Sequence, residues 1–96
     1  MMSAYMIVYA RVDDAAQFGE YVAAVQPVIA AHGGTLVARG ADPVVLEGNW
    51  PFATVGVLEF PSMAAAQDFW HSPEYVSVKA LREGAAEFQV VLVPAA

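Results

Sequence analysis

Six segments of regular hydrophobic periodicity follow one another along this chain, and their order limits the folds it can adopt. Residues Ala4–Val12 alternate as a buried strand does, and residues 14–32 carry apolar side chains at helical spacing. Two strands are predicted at residues 35–40 and 52–60, followed by a second helical region and a last strand at residues 88–93. Strands and helices in this mixture predict an α+β fold.

Local signals place the ends of the first helix. Asp14 and Gln17 have the spacing of a capping box, in which each residue satisfies a free backbone N–H of the first turn. Gly33-Gly34 ends the helix, because glycine takes the left-handed conformation of a C-cap without steric cost. Pro27 lies inside this helix and predicts a kink or a tightened last turn.

Serine and proline mark the second helical region. Ser62 is a good N-cap for a helix over residues 63–71, and Ser72-Pro73 starts a further helix that Gly84 ends. Between the two middle strands, residues 44–46 are expected to form a short strand extension before a turn over residues 47–51.

The order strand, helix, strand, strand, helix, strand is that of the ferredoxin-like βαββαβ fold. Its four-stranded antiparallel sheet has helices on one face only, so we expect a single domain over residues 1–96 with one bare sheet face. The chain is 58% hydrophobic and 15% charged, whereas an average soluble protein is roughly 25% charged. This apolar surplus predicts a homodimer in which two bare faces close as a dimeric α+β barrel.

Composition also disfavours several classes of function. Ten acidic against four basic residues give a net charge of −6, which repels a phosphate backbone and argues against nucleic-acid binding. The absence of cysteine excludes thiolate metal sites, and two distant histidines argue against a dedicated transition-metal site. No cofactor is predicted, although a haem, which needs only one axial ligand, stays open as an alternative. No stretch of 18 apolar residues predicts a membrane span, and the start of the chain does not resemble a secretion signal, so a cytoplasmic protein is expected.

Several short motifs, in their order and spacing, resemble the family known as domain of unknown function 1330. The motifs are Pro27-Val28-Ile29, His32-Gly33-Gly34, Leu46-Glu47-Gly48 with Trp50, Glu59-Phe60-Pro61-Ser62, and Ser72-Pro73-Glu74-Tyr75 followed by Arg82.

The resemblance implies the ferredoxin-like fold and dimeric pairing, but it implies no settled activity. Relatives in the wider superfamily include cofactor-free monooxygenases of aromatic polyketides, muconolactone isomerase and haem-handling enzymes, and a fold alone does not choose among them. The chain departs from the family at Thr54, where members usually carry an arginine.

Charged residues on predicted strands are the first candidates for chemistry, because a buried charge needs a partner. Arg11, Arg39 and Glu59 lie on such strands. Arg39 and Glu59 belong to strands expected to pair, so an ion pair between them is possible. It is either a structural contact or part of a pocket that orients an acidic or enolisable substrate.

His32 completes the set of catalytic candidates, as a general base with an ordinary pKa near neutrality. The alternative is that His32 caps its own helix end through the exposed carbonyl groups there.

Aromatic and polar side chains supply the candidates for ligand binding. Glu47 and Trp50 share a flexible turn that either rims a pocket or covers the core. Tyr9, Tyr75 and Arg82 are further binding candidates, with core packing as the alternative for the two tyrosines.

The sequence therefore supports two functional hypotheses. In the first, a dimeric α+β barrel holds a small apolar or aromatic molecule between sheet and helices, and His32, Arg39 and Glu59 perform acid–base or cofactor-independent oxygen chemistry on it. In the second, the protein is a non-catalytic structural or ligand-binding module, and the same residues maintain the fold and the dimer.

Overall fold

A computed structural model describes residues 3–50 and 53–96 of the chain. Four strands, three α-helices and a 3₁₀ turn follow in the order β1 (Ala4–Val12), α1 (Ala15–Ala31), β2 (Thr35–Ala41), β3 (Thr54–Phe60), α2 (Met63–His71), α3 (Pro73–Lys79), the 3₁₀ turn (Ala80–Arg82) and β4 (Ala86–Pro94).

The strands form one antiparallel sheet in the order β2-β3-β1-β4. The two strands that flank α1, β1 and β2, are not neighbours, because β3 lies between them. This is the ferredoxin-like α+β arrangement that the order of the periodic segments predicted. No helix among the described residues is long and apolar enough to cross a membrane.

The core lies between the helices and one side of the sheet, here called the helix side. Met6 of β1 and Leu58 and Phe60 of β3 are buried there against Tyr21 and Phe69 of the helices. Side chains alternate between the two sides of a strand, which is why the core takes every second residue of β1. The two-residue period of residues 4–12 therefore matches the alternation between core side chains and side chains on the other side of the sheet.

The other side of the sheet, here called the open face, carries no helix. Its central row crosses all four strands through Ala38, Val57, Ile7 and Val91, which pair in that order. All four side chains are apolar, and Val91 is 49% exposed in the single chain. The bare apolar surface expected from the composition is thus present on this side.

The first helix is capped by Asp14 as predicted, but the side chain of Gln17 does not form the second bond of the capping box. Asp14 accepts a hydrogen bond from the backbone N–H of Gln17 at 3.0 Å. The Gln17 amide does not return this bond, because the N–H of Asp14 already donates to the carbonyl of Ala85. Instead the amide donates to the carbonyls of Leu81 at 2.9 Å and Glu83 at 2.8 Å, which ties α1 to the chain after α3.

The end of α1 is tightened, one of the two outcomes expected from Pro27. The helix continues through Pro27, and the N–H groups of His32 and Gly33 donate to carbonyls three residues earlier. Gly33 has φ +76°, the left-handed conformation expected of a C-cap glycine.

The prediction of a short strand extension over residues 44–46, between β2 and β3, was wrong. Residues 43–46 have no regular structure, and Val44 and Leu46 are 84% and 94% exposed. Asp42 takes a left-handed conformation with φ 59°, which turns the chain away from the sheet before a strand extension can form. Pro51 and Phe52, assigned from the sequence to the turn and to the start of the third strand, lie outside the described residues.

Candidate functional site

A cavity of about 110 Å³ lies between α1 and the helix side of the sheet. Its walls are mainly apolar and include Val8, Phe18, Val22, Val25, Ile29 and Leu58. Four side chains with hydrogen-bonding groups also line it, namely Tyr21, Gln26, Arg39 and Thr54. An apolar space with a few convergent polar groups is the usual composition of a small-molecule site.

Gly56 of β3 leaves part of the cavity wall open. It pairs with Arg39 on one side and Val8 on the other, and both of these residues also line the cavity. A Cβ atom added at Gly56 would meet no atom within 4 Å. The missing side chain therefore contributes to the empty space, in a strand position where glycine is otherwise unfavourable.

A β-bulge at Val37 places Arg39 in the lining of this cavity. Leu36 pairs with Leu58 and Ala38 pairs with Val57, so Val37 is an extra residue between two consecutive pairs. Without the bulge, alternation would put Arg39 on the open face. With it, Arg39 lies opposite Gly56, on the helix side.

Arg39 does not lie beside Glu59, because Arg39 pairs with Gly56, three residues before Glu59 in β3. Glu59 pairs with Thr35 and lies on the open face, beside a separate surface cavity that Ser3 and Pro61 also line. The hypothetical ion pair between Arg39 and Glu59 is therefore not formed. Among the described residues the ion pairs are those of Arg11, at 3.2 Å to Asp13 and 2.8 Å to Glu87.

His32 lies away from the cavity lining. Its Nδ1 is 3.1 Å from the carbonyl oxygen of Val28, which can only accept, so this nitrogen carries the proton. The ring packs edge-on against Phe69 with centroids 5.8 Å apart. This geometry is that of the capping alternative, and the structure does not bring His32, Arg39 and Glu59 together.

Buried polar groups back the inner wall of the cavity. The hydroxyls of Tyr21 and Tyr75 are 3.0 Å apart, and both side chains are buried. The Arg82 guanidinium carbon lies 3.8 Å from the centroid of the Phe88 ring and 5.6 Å from that of Tyr21. Tyr75 and Arg82 thus contact Tyr21 and Phe88, two of the three aromatic residues that line the cavity.

Two of the remaining ligand-binding candidates, Tyr9 and Trp50, lie on the opposite side of the sheet. The rings of Tyr9 and Trp50 pack with centroids 4.3 Å apart. Tyr9 belongs to the open face, so Trp50 brings the loop before β3 over that face. Glu47 is exposed in the same loop. This group is separate from the cavity under α1.

A family model for the domain of unknown function 1330 (DUF1330) matches residues 3–96. The chain belongs to the DUF1330 family. The match confirms the resemblance found in the short motifs and covers nearly the whole chain. No curated protein matches it.

Solved structures show how widely this DUF1330 fold recurs. A protein of unknown function from Rhodopseudomonas palustris has a TM-score of 0.78 at 22% identity, over 95% of this chain and 80% of its own. The cofactor-independent oxygenase SnoaB from Streptomyces nogalater has a TM-score of 0.73 at 14% identity, over 100% and 95%. The hydroxynitrile lyase from Passiflora edulis has a TM-score of 0.73 at 18% identity, over 98% and 94%.

A further match is described as a dimeric ferredoxin-like protein of unknown function, from Thermobifida fusca. Its TM-score is 0.65 at 19% identity, over 95% of the DUF1330 chain and 89% of its own. Likenesses at these identities show the fold, and the neighbours' different activities illustrate that one fold serves several chemistries.

Sequence reasoning passed over three polar or small residues that line the DUF1330 cavity. Thr54 was noted only as a departure from the family pattern, and Gln26 and Gly56 had no role. Gly56 carried a readable signal, because a glycine inside a strand often marks a close approach or an open space. Gln26 and Thr54 carried none.

Replacing Tyr21 with phenylalanine is expected to change how the stability of this DUF1330 protein depends on pH. Burial, reinforced by Tyr75, raises the pKa of Tyr21 above its ordinary value of 10.0. Above pH 10 the unfolded chain releases a proton that the folded chain retains, so the free energy of unfolding falls by about 1.4 kcal/mol per pH unit. Below about pH 9 this group contributes almost no pH dependence, because it is un-ionised in both the folded and the unfolded chain.

Tyr21→Phe removes this contribution, so its unfolding free energy should fall less steeply between pH 10 and 11 than that of the wild type. Urea unfolding at half-unit steps from pH 8 to 11 measures both slopes. The difference in stability between the two proteins should be constant from pH 8 to 9, which serves as the internal control. Equal slopes above pH 10 would contradict the burial of an un-ionised Tyr21.

Proposed function

We propose that this DUF1330 protein binds a small, single-ring aromatic or similarly sized apolar molecule in the cavity under α1. The observation that carries the proposal is the apolar space itself, left open at Gly56 and bordered by four hydrogen-bonding side chains. An apolar protein cavity of about 150 Å³ is known to hold benzene. The cavity here is about 110 Å³ and opens toward solvent, so it suits one ring and not a fused polycyclic compound.

We propose binding and not acid–base catalysis, because two of the three residues named as catalytic candidates lie away from the cavity. His32 bonds to its own helix, and Glu59 lies on the open face of the sheet. The oxygenase SnoaB and the hydroxynitrile lyase share the fold at 14% and 18% identity, which transfers neither activity. What the cavity residues favour is recognition of a ring and of a polar group attached to it.

We also propose that the protein is a homodimer paired through the open face. The apolar row of Ala38, Val57, Ile7 and Val91 supports this, because a sheet face of this kind is usually covered in a folded protein. The structural match from Thermobifida fusca is described as dimeric, which is consistent with the same pairing. The cavity under α1 lies on the other side of the sheet, so each protomer keeps its own site.

Replacing Gly56 with valine is expected to abolish ligand binding without unfolding the protein. The new side chain enters open space, and valine is favoured over glycine in a strand, so the melting temperature should not fall. Benzyl alcohol is a suitable neutral probe of the cavity. At ten times its dissociation constant it should stabilise the wild type by about 1.4 kcal/mol, or several degrees in melting temperature, and should not stabilise Gly56→Val.

Gly19→Ala is the matched control for this test. Gly19 is exposed on α1, and an added Cβ also meets nothing within 4 Å, but Gly19 does not line the cavity. This variant should be more stable than wild type by about 0.5–1 kcal/mol and should keep the full response to benzyl alcohol. A Gly56→Val protein that responds to the probe as the wild type does would show that the cavity is not the binding site.

A further inference from the structure

Arg39 differs from the other basic residues in the part of the chain that the structure describes. Arg11 is paired with Asp13 and Glu87, Lys79 lies 4.7 Å from the centroid of the Trp70 ring, and Arg82 lies against Phe88. Arg39 makes no ion pair with a described residue. It is exposed and lines the cavity under α1, so its side chain adjoins both an apolar space and solvent.

The polarity of the cavity changes from its inner end to its mouth. Tyr21 and Val25 line the inner part and are buried, whereas Arg39 and Gln26 are exposed and mark the opening. Thr54, which is half-buried, adds a hydroxyl to the same lining. A molecule that fills this space therefore meets mainly apolar surface at the inner end and a cation with a neighbouring amide side chain at the opening.

We propose that the ligand is an aromatic carboxylic acid whose ring occupies the apolar space and whose carboxylate binds Arg39. This inference rests on the proposed function of the cavity. A planar guanidinium presents paired N–H donors that match the two oxygens of a carboxylate. The net charge of −6 repels anions in general, so an anion that binds here does so because of a local cation.

Benzoate and benzyl alcohol test the inference, because both carry one ring and only benzoate carries an anion. Isothermal titration at 20 mM salt should show benzoate binding wild type at least tenfold more tightly than benzyl alcohol. In Arg39→Gln this preference should disappear while the affinity for benzyl alcohol is unchanged. Raising the salt to 500 mM should shrink the preference in the wild type severalfold, since an exposed charge is screened by salt.

Arg11→Gln is the matched control, because it removes the same charge from a residue that does not line the cavity. This variant should keep the wild-type preference for benzoate. Equal affinities of the wild type for the two probes, or an unchanged preference in Arg39→Gln, would overturn the assignment of a carboxylate while leaving the apolar site intact. Absence of binding by either probe would instead refute the proposed function and the inference together.

Discussion

Replacing Phe69 with alanine is expected to lower the free energy of unfolding by about 3–5 kcal/mol, which is a large share of the stability of so small a domain. Phe69 is 1% exposed and its ring contacts three others. The centroids of Phe60, Tyr75 and His32 lie 5.2, 4.6 and 5.8 Å away. These rings belong to β3, to α3 and to the end of α1, so the deletion leaves a void where three elements meet.

Urea unfolding followed by circular dichroism measures this loss. Val76→Ala is the comparison, because Val76 is 59% exposed on α3 and its truncation should cost less than about 0.5 kcal/mol. If Phe69→Ala cost no more than Val76→Ala, the packing of α2 and α3 on the sheet described above would be incorrect.

Replacing Ile7 with glutamate is expected to convert the protein from a dimer to a monomer. Ile7 lies at the centre of the open face, between Val57 and Val91 on the neighbouring strands. In a symmetric pair the substitution places two carboxylates in one apolar interface, each of which loses its hydration. Light scattering at 10 µM should give twice the 10.2 kDa chain mass for wild type and 10.2 kDa for Ile7→Glu.

Val76→Glu controls for the added charge, because it makes a similar change on a helix, away from the sheet. It should remain a dimer. A wild-type mass of 10.2 kDa would exclude a stable homodimer, and a dimeric Ile7→Glu protein would place the interface on another surface.

Much of the fold was predictable because its causes are local in the chain. The alternation of Ala4–Val12 follows from the two sides of a strand, and the caps at Asp14, Ser62 and Ser72 each bond to an N–H three residues later. A pattern that repeats every two or 3.6 residues needs no knowledge of the rest of the molecule. The order of the elements then leaves few topologies, which is why the ferredoxin-like sheet could be expected.

The candidate site was less predictable because it depends on pairings between distant residues. Arg39 was named from the sequence as a catalytic candidate, but its contact with the cavity follows from the bulge at Val37, which no local signal announces. Glu59 and His32 were named on equal grounds and lie elsewhere. Gln17 was given a local capping role, whereas its amide bonds to the carbonyls of Leu81 and Glu83.

What the residues determine without any structure is therefore the fold class, an α+β fold with an excess of apolar residues. What the folded chain adds is the side of the sheet on which each polar group lies. A single extra residue in β2 reverses that side for everything that follows it in the strand, because the side-chain period is two. That reversal brings Arg39 to the cavity under α1, whereas Glu59 belongs to β3 and lies on the open face.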